Sequence, residues 1–188
     1  RIAGADVVRS SAAARSAIGY LPEAANGFGS LTVAEFLMFA AEARGMQGST
    51  RNRAIARIAE MLSLGAALYR PLGTLSKGWR QRAWLAQALI HDPPVLIFDE
   101  PTDGLAPNQK IALRALLTSL SEDKAMLIST HILEEAETLC DRLIIIANGQ
   151  VIADGRTSEL ADENGRLAPA FARLTGGIET AMQAQAAP

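Results

Sequence analysis

The sequence predicts an α/β fold built on a parallel sheet, and three observations carry that expectation. Three short β-rich runs, "PVLIF", "AMLIS" and "RLIIIA", follow one another in the second half of the 188-residue chain. A helical pattern lies between each successive pair, and strands that alternate with helices form a parallel sheet covered on both faces. Ahead of them, Leu31 to Asp92 reads as mostly helical with short breaks, a separate helical region beside the sheet.

The elements follow in order. Arg1 to Asp6 reads as the end of a hairpin, and the Ala-rich Ser10 to Arg15 as a short helix. Ala17 to Leu21 is a short strand stopped by Pro22. "EAANGFGS" is a glycine-containing loop. "LTVAEFLMFAAEARG" is a helix that Thr32 caps with Glu35 three residues on, and that Gly45 ends. Arg51 to Leu64 has apolar residues at 55, 58, 59 and 62, a helical period. Ser76 to Ile90 is a third helix closed by "HDPP", with Trp84, Leu85, Ala88 and Leu89 as its core contacts. Asn108 to Leu120 and Ile132 to Leu139 are the helices between the β-rich runs. "NGQ" at 148–150 is a hairpin turn into "VIADG". Thr157 to Gly177 reads as two short helices, with a small, polar, frayed end beyond.

Bulk properties narrow the function. With 49% hydrophobic residues the chain supports one domain with a real core. A net charge of -2 gives no electrostatic reason to expect a nucleic-acid partner. The single cysteine, Cys140, excludes an internal disulfide and fits a reducing cytosol. No apolar run reaches the ~18 residues of a membrane span. The start at Arg1, mid-pattern, is read as the entry into a longer protein whose N-terminal part is missing.

Three stretches carry chemistry. "VLIFDE" ends a buried strand in adjacent carboxylates, Asp99 and Glu100. Ligands of open parallel sheets collect at the carboxyl ends of strands. An aspartate there can hold Mg²⁺ on phosphate oxygens, and its neighbour can polarise an attacking water. The bland reading is a solvated strand end. "LSKGWRQR" places Ser76 and Gly78 where a long helix begins, and exposed N–H groups there favour an anion such as phosphate. The bland reading is an ordinary serine cap. "LISTHILEEAE" places His131 between a strand and a helix, where it can donate to a terminal phosphate. A structural cap is the bland reading for it, and the one assigned to His91.

The three occur in a fixed order and spacing that resembles a family. "LSKGWRQRAWLAQALIHDPPVLIFDEPTDGLAPNQ" resembles the signature helix, Walker B strand and D-loop of ATP-binding cassette (ABC) ATPases. "STHILEEAETLCDRLIIIANGQVIADG" resembles their switch-histidine strand and hairpin, and "IGYLPEAANGFGSLTVAEFLMFAAEARG" their Q-loop and helical subdomain. "AFARLTGG" is similar to a common ending. The subgroup resembled is the ABC-2, gliding-motility and multidrug-export type. The resemblance implies a P-loop NTPase core with an inserted helical subdomain. It divides the chain into 1–27 (end of the N-terminal β region and Q-loop), 28–92 (helical subdomain with signature), 93–160 (catalytic α/β core) and 161–188 (helical tail). It implies ATP and Mg²⁺ as cofactors, Asp99 as the metal aspartate, Glu100 as the base that aligns water, and His131 at the γ-phosphate. Ser76, Lys77 and Gly78 would bind the ATP of an opposite subunit. Glu23 would link the metal site to the membrane partner, and Asp103 to Ala106 would form the D-loop.

This chain departs from the family's pattern at four places. Glu23 stands for a glutamine, Lys77 and Trp79 for a glycine and a glutamine of the signature, and Ala106 for the D-loop aspartate. None of the three lysines, Lys77, Lys110 and Lys124, follows a glycine, so the G-x-x-x-x-G-K-[ST] phosphate loop does not occur in these residues. The expectation is therefore an exporter's ATPase subunit on the cytoplasmic face of a bacterial-type membrane. It would work with a membrane-spanning permease and a second ATPase subunit, and the piece seen here would be inactive alone. Of Phe28, Phe36, Met38 and Phe39 some would pack inward, core packing being the bland reading for each, and the rest would give the permease an apolar docking groove beside Glu23. The alternative is a non-catalytic half-protein that lends its signature helix to an intact partner.

Overall fold

A computed structural model describes residues 1–24 and 26–175. The chain divides into two compact units, Arg1–Ser129 and Thr130–Pro188.

The first unit opens with a tight turn in which Ile2 and Ala5 pair, with Ala3 and Gly4 both at positive φ. Helix α1 (Ser11–Ser16) leads into strand β1 (Ile18–Leu21). Helix α2 (Val33–Ala43) starts in the expected capping box. Thr32 Oγ1 accepts from Glu35 N at 3.2 Å, and Glu35 Oε2 accepts from Thr32 N at 2.8 Å. It stops at Gly45, whose φ of +78° a side chain would strain. Then come α3 (Gly48–Met61), α4 (Lys77–Leu89), β2 (Val95–Asp99), α5 (Pro107–Ser121) and β3 (Ala125–Ser129). Proline at the first position of α5 fits a site where no backbone N–H is needed.

The sheet runs β1-β2-β3, parallel throughout. In-register partners share a face, so Gly19, Leu96 and Met126 lie on one side, with Leu21, Phe98 and Ile128. Helix α4 covers this side. It comes so near at Gly19 that a Cβ there would lie 2.2 Å from the carbonyl oxygen of Ala88. Leu21, Leu96 and Phe98 are fully buried with Leu85 and Ile90. The other side carries Tyr20, Ile97 and Leu127 in one row, with Asp99 and Ser129 two residues further on. Leu127 is 60% exposed there and Tyr20 48%.

In the helical region, Phe36 is buried and stacks on Trp84 at 5.2 Å and on Phe28 at 5.4 Å. Trp84, expected in the core, is only half-buried. It lies at the rim of this cluster, and its indole Nε1 is buried without a hydrogen-bond partner. Phe28, Met38 and Phe39 are exposed.

The second unit holds α6 (Leu133–Leu139), β4 (Arg142–Ala147), β5 (Gln150–Arg156), α7 (Thr157–Leu160) and a helix over 168–175. The run "RLIIIA" was expected in the parallel sheet. Instead β4 pairs antiparallel with β5 in a sheet of two strands. The reason is local: Asn148 and Gly149, at φ +50° and +74°, make the two-residue turn that closes a hairpin at the least entropic cost. Arg142 clamps it, donating to both carboxylate oxygens of Asp154 at 2.8 and 3.0 Å. The expected frayed end lies outside the described residues.

Candidate functional site

Strand β2 delivers Asp99 to its carboxyl end, and the parallel register sets Ser129 beside it. The Ser129 hydroxyl donates to Asp99 Oδ1. Glu100 follows at φ +45°, a conformation that non-glycine residues rarely take and that recurs at functional sites. The turn after it is anchored from several sides. Glu100 N donates to the Ser129 carbonyl at 3.1 Å, Asp103 N to the Glu100 carbonyl at 3.1 Å, and Leu105 N to the Thr102 carbonyl at 3.2 Å. Gln81, buried on α4, donates to the Pro101 carbonyl at 3.2 Å. Thr102 is fully buried, and its hydroxyl has no partner. Buried anchors therefore hold the strained residue that sits beside Asp99.

Ser76 is the N-cap of α4 but its hydroxyl makes no capping bond, so the ordinary-cap reading does not account for it. Lys77, exposed, pairs with Asp103 across the 100–105 turn, Nζ to Oδ2 at 2.7 Å. Gly78 is buried, and a Cβ on it would lie 2.4 Å from Gln109 Oε1 of α5, so a side chain there would displace the Gln109 amide. Gln109 Oε1 also accepts from Ala106 N at 3.2 Å, fixing the start of α5. Glu23 is exposed just past β1. It lines a polar pocket of about 210 Å³ with Asn26, Lys77, Arg80, Gln81 and Asp103. The first unit thus gathers Glu23, Lys77 and Asp103 around one pocket, with Ser76 and Gly78 beside Lys77 on α4, and ties them to Glu100 through the turn.

His131 belongs to the second unit, where it is exposed ahead of α6. Thr130 Oγ1 accepts from Ile132 N at 3.1 Å and shapes that start. His131 lines a pocket of about 530 Å³ with Glu134, Glu137, Asp162 and Arg166. His91 takes the structural part expected of it, with Nε2 3.1 Å from the Ile18 carbonyl.

Among the described residues, no three His, Cys, Asp or Glu side chains cluster as a metal cage. Mg²⁺ does not need one, because one or two carboxylates suffice where phosphates and water complete an octahedron. Asp99, a hard oxygen donor beside a hydroxyl at a strand end, fits that requirement. Sequence reasoning missed Ser129, Gln81 and Gln109. Ser129 lies in the quoted "STH", but its bond to Asp99 comes from a register between strands 30 residues apart.

A three-stranded parallel sheet with helices inserted between β1 and β2 gives the class, an α/β fold that matches a solved ABC ATPase of the P-loop NTPase type. The chain belongs to the ABC transporter family, whose match covers residues 1–103. It is 36% identical to an uncharacterised ABC transporter ATP-binding protein, YxlF, of Bacillus subtilis, over 79% of this chain and 50% of that protein. It is also 36% identical to the Nod factor export ATP-binding protein I of Rhizobium etli, over 86% of this chain and 52% of that protein. A solved ATP-binding subunit of an ABC transporter superposes with a TM-score of 0.79 at 29% identity, covering 92% of this chain and 74% of that one. The chain spans about half the length of the curated relatives it matches. Among the described residues, no helix is long and apolar enough to cross a membrane.

Proposed function

We propose that these residues are the catalytic and signature part of an ATPase subunit that powers a membrane exporter. The observation that supports it most is the end of β2. Asp99 and Glu100 emerge together, one hydrogen-bonded to Ser129 and the other held at positive φ by a buried turn. Asp99 would hold Mg²⁺, which when bound supplies charge neutralisation on the phosphates. Glu100 aligns and deprotonates the attacking water, and His131 donates to the γ-phosphate. Ser76, Lys77 and Gly78 meet the nucleotide of a second, identical subunit. ATP-driven pairing of the two subunits is what moves the permease on the cytoplasmic face of the membrane. A short cytoplasmic helix of that permease docks on exposed Phe28, Met38 and Phe39, next to the loop of Glu23.

The experiment is Glu100→Gln in the protein that joins these residues to a phosphate loop. ATP binding persists, and turnover falls by roughly 10²–10⁴, the usual worth of a general base. Turnover near that of the wild type removes Glu100 from the mechanism.

A further inference from the structure

Helix α6 has seven residues, too few to hold a helix in water unaided, so its stability comes from what packs on it. Among the described residues of the second unit, four are buried: Glu135 and Ala136 on α6, and Leu167 and Ala170 in the segment after α7. That segment reaches α6 in a fixed shape. Asp162 Oδ1 accepts from Asn164 N at 2.9 Å and from Arg166 N at 2.8 Å, and Asp162 N donates to the Arg166 carbonyl at 2.9 Å. Gly165 sits in this turn at φ +75°. The next amide, Leu167 N, donates to Glu137 Oε1 at 2.6 Å, and Arg166 Nη1 stands 3.9 Å from Glu137 Oε2. The Glu137 side chain is only 13% exposed, so its carboxylate is a sheltered acceptor and not a solvated surface charge. The pocket of about 530 Å³ that His131 lines has two walls. Glu134 and Glu137 belong to α6, Asp162 and Arg166 to the later segment.

We infer that residues 162–171 are a clasp on α6, and that Glu137, its anchor, is a positioning residue for His131. The clasp holds the C-terminal half of α6, and His131 lies just ahead of the helix's first turn. Without the carboxylate, the Leu167 N–H loses its acceptor and the short helix loses its cover. His131 then loses the frame that places it. The clasp itself rests on the geometry; its bearing on the γ-phosphate rests on the proposed function.

Two measurements test it, one independent of ATP turnover. The chain has two histidines, one in each unit, so the proton–carbon NMR spectrum of the 188 residues carries one imidazole signal from each. Glu137→Ala shifts the His131 signal and leaves that of His91 in place. It also speeds amide exchange roughly ten-fold or more at Leu167 and at Cys140, whose N–H is bonded to the Ala136 carbonyl, the scale of a hydrogen bond to a charged group. Glu137→Gln removes the same charge but keeps an acceptor oxygen, and leaves the His131 signal near its wild-type position. Gly165→Ala changes no charge and its Cβ meets open space, so it acts only by straining the turn, and it shifts the His131 signal as Glu137→Ala does. In a longer chain that joins these residues to a phosphate loop, Glu137→Ala lowers kcat about 10- to 100-fold with little change in KM, and Glu137→Gln restores most of it. Equal shifts in Glu137→Gln and Glu137→Ala would trace the effect to charge alone and overturn the clasp. A His131 signal that Gly165→Ala leaves unmoved overturns it too, and this variant decides if Glu137→Ala does not fold. An unchanged kcat in Glu137→Ala overturns the positioning role. If the wild-type longer chain turns over no ATP, the proposed function fails, and the histidine signals still decide the clasp.

Discussion

The two faces of the parallel sheet differ in what they do with the same kind of residue. On one, Gly19 lets α4 descend until its backbone meets β1, and Leu21, Leu96 and Phe98 disappear from solvent. On the other, Tyr20, Ile97 and Leu127 form an equally apolar row that stays largely open. Parallel sheets are otherwise found covered on both sides. The open row leads directly to Asp99 and Ser129. The covered face therefore supplies stability, and the open face ends at the proposed metal and water site.

The largest expected effect is on the covered face. Phe98 is 1% exposed and has Leu21 and Ile128 as its in-register neighbours. Phe98→Ala removes the ring and leaves a cavity that α4, held by its own backbone contact at Gly19, cannot close. The expected loss is about 3–5 kcal/mol, read from the denaturant midpoint. A loss below about 1 kcal/mol would mean that α4 is free to collapse onto β2, and the contrast between faces would weaken.

Local signals in the sequence foretold most of the elements. Thr32 and Glu35 announced the capping box, Gly45 the end of α2, and Asn148–Gly149 the hairpin, because each acts through neighbours a few residues away. Pairings over longer separations were not legible. The β-rich run of β4 promised a third place in the parallel alternation, yet its partner is the strand just after it. Lys77 and Asp103 look like two surface charges 26 residues apart until α4 and the turn meet. The carboxylates at 99 and 100 were readable as a strand end. Their hydroxyl neighbour and the strained turn depend on a register that no local pattern encodes.

A middle-sized effect belongs to the amino end of the open face. His91 lines a pocket of about 880 Å³ there with Arg15, Ile18, Tyr20, Arg44 and Ile97. Its Nε2 meets the Ile18 carbonyl, and its Nδ1 is buried without a partner. Burial, helped by the positive charge of Arg44, pushes its pKa below the ordinary 6.5, against the opposing pull of the Ile18 carbonyl and Asp92. The folded state thus prefers the neutral ring, while the unfolded chain takes up a proton first. Stability from this group is complete above pH 6.5 and is lost as pH falls from there through the lower folded value. Denaturant midpoints measured from pH 7.5 down to pH 5 should fall in the wild type. They should fall less steeply in His91→Gln, which cannot titrate. Parallel slopes would assign the pH dependence to other groups.

The smallest expected effect is the sharpest test of the comparison. Leu127 stands on β3 in the same row as Tyr20 and Ile97, so by sequence it looks as buried as Phe98. At 60% exposure it has little to lose, and Leu127→Ala in the 188-residue chain should cost under about 0.5 kcal/mol. The same substitution in a longer chain that joins these residues to a phosphate loop should cost about 2–5 kcal/mol if a helix lies over this face, the usual range for a buried leucine. A large cost already present in the isolated chain, and growing with protein concentration, would mean that a second copy covers the face. An equally small cost in both would leave the row open to solvent in the longer chain as well. That result would cut the link between the open face and the phosphate site, because no element would then pass over Leu127 toward Asp99.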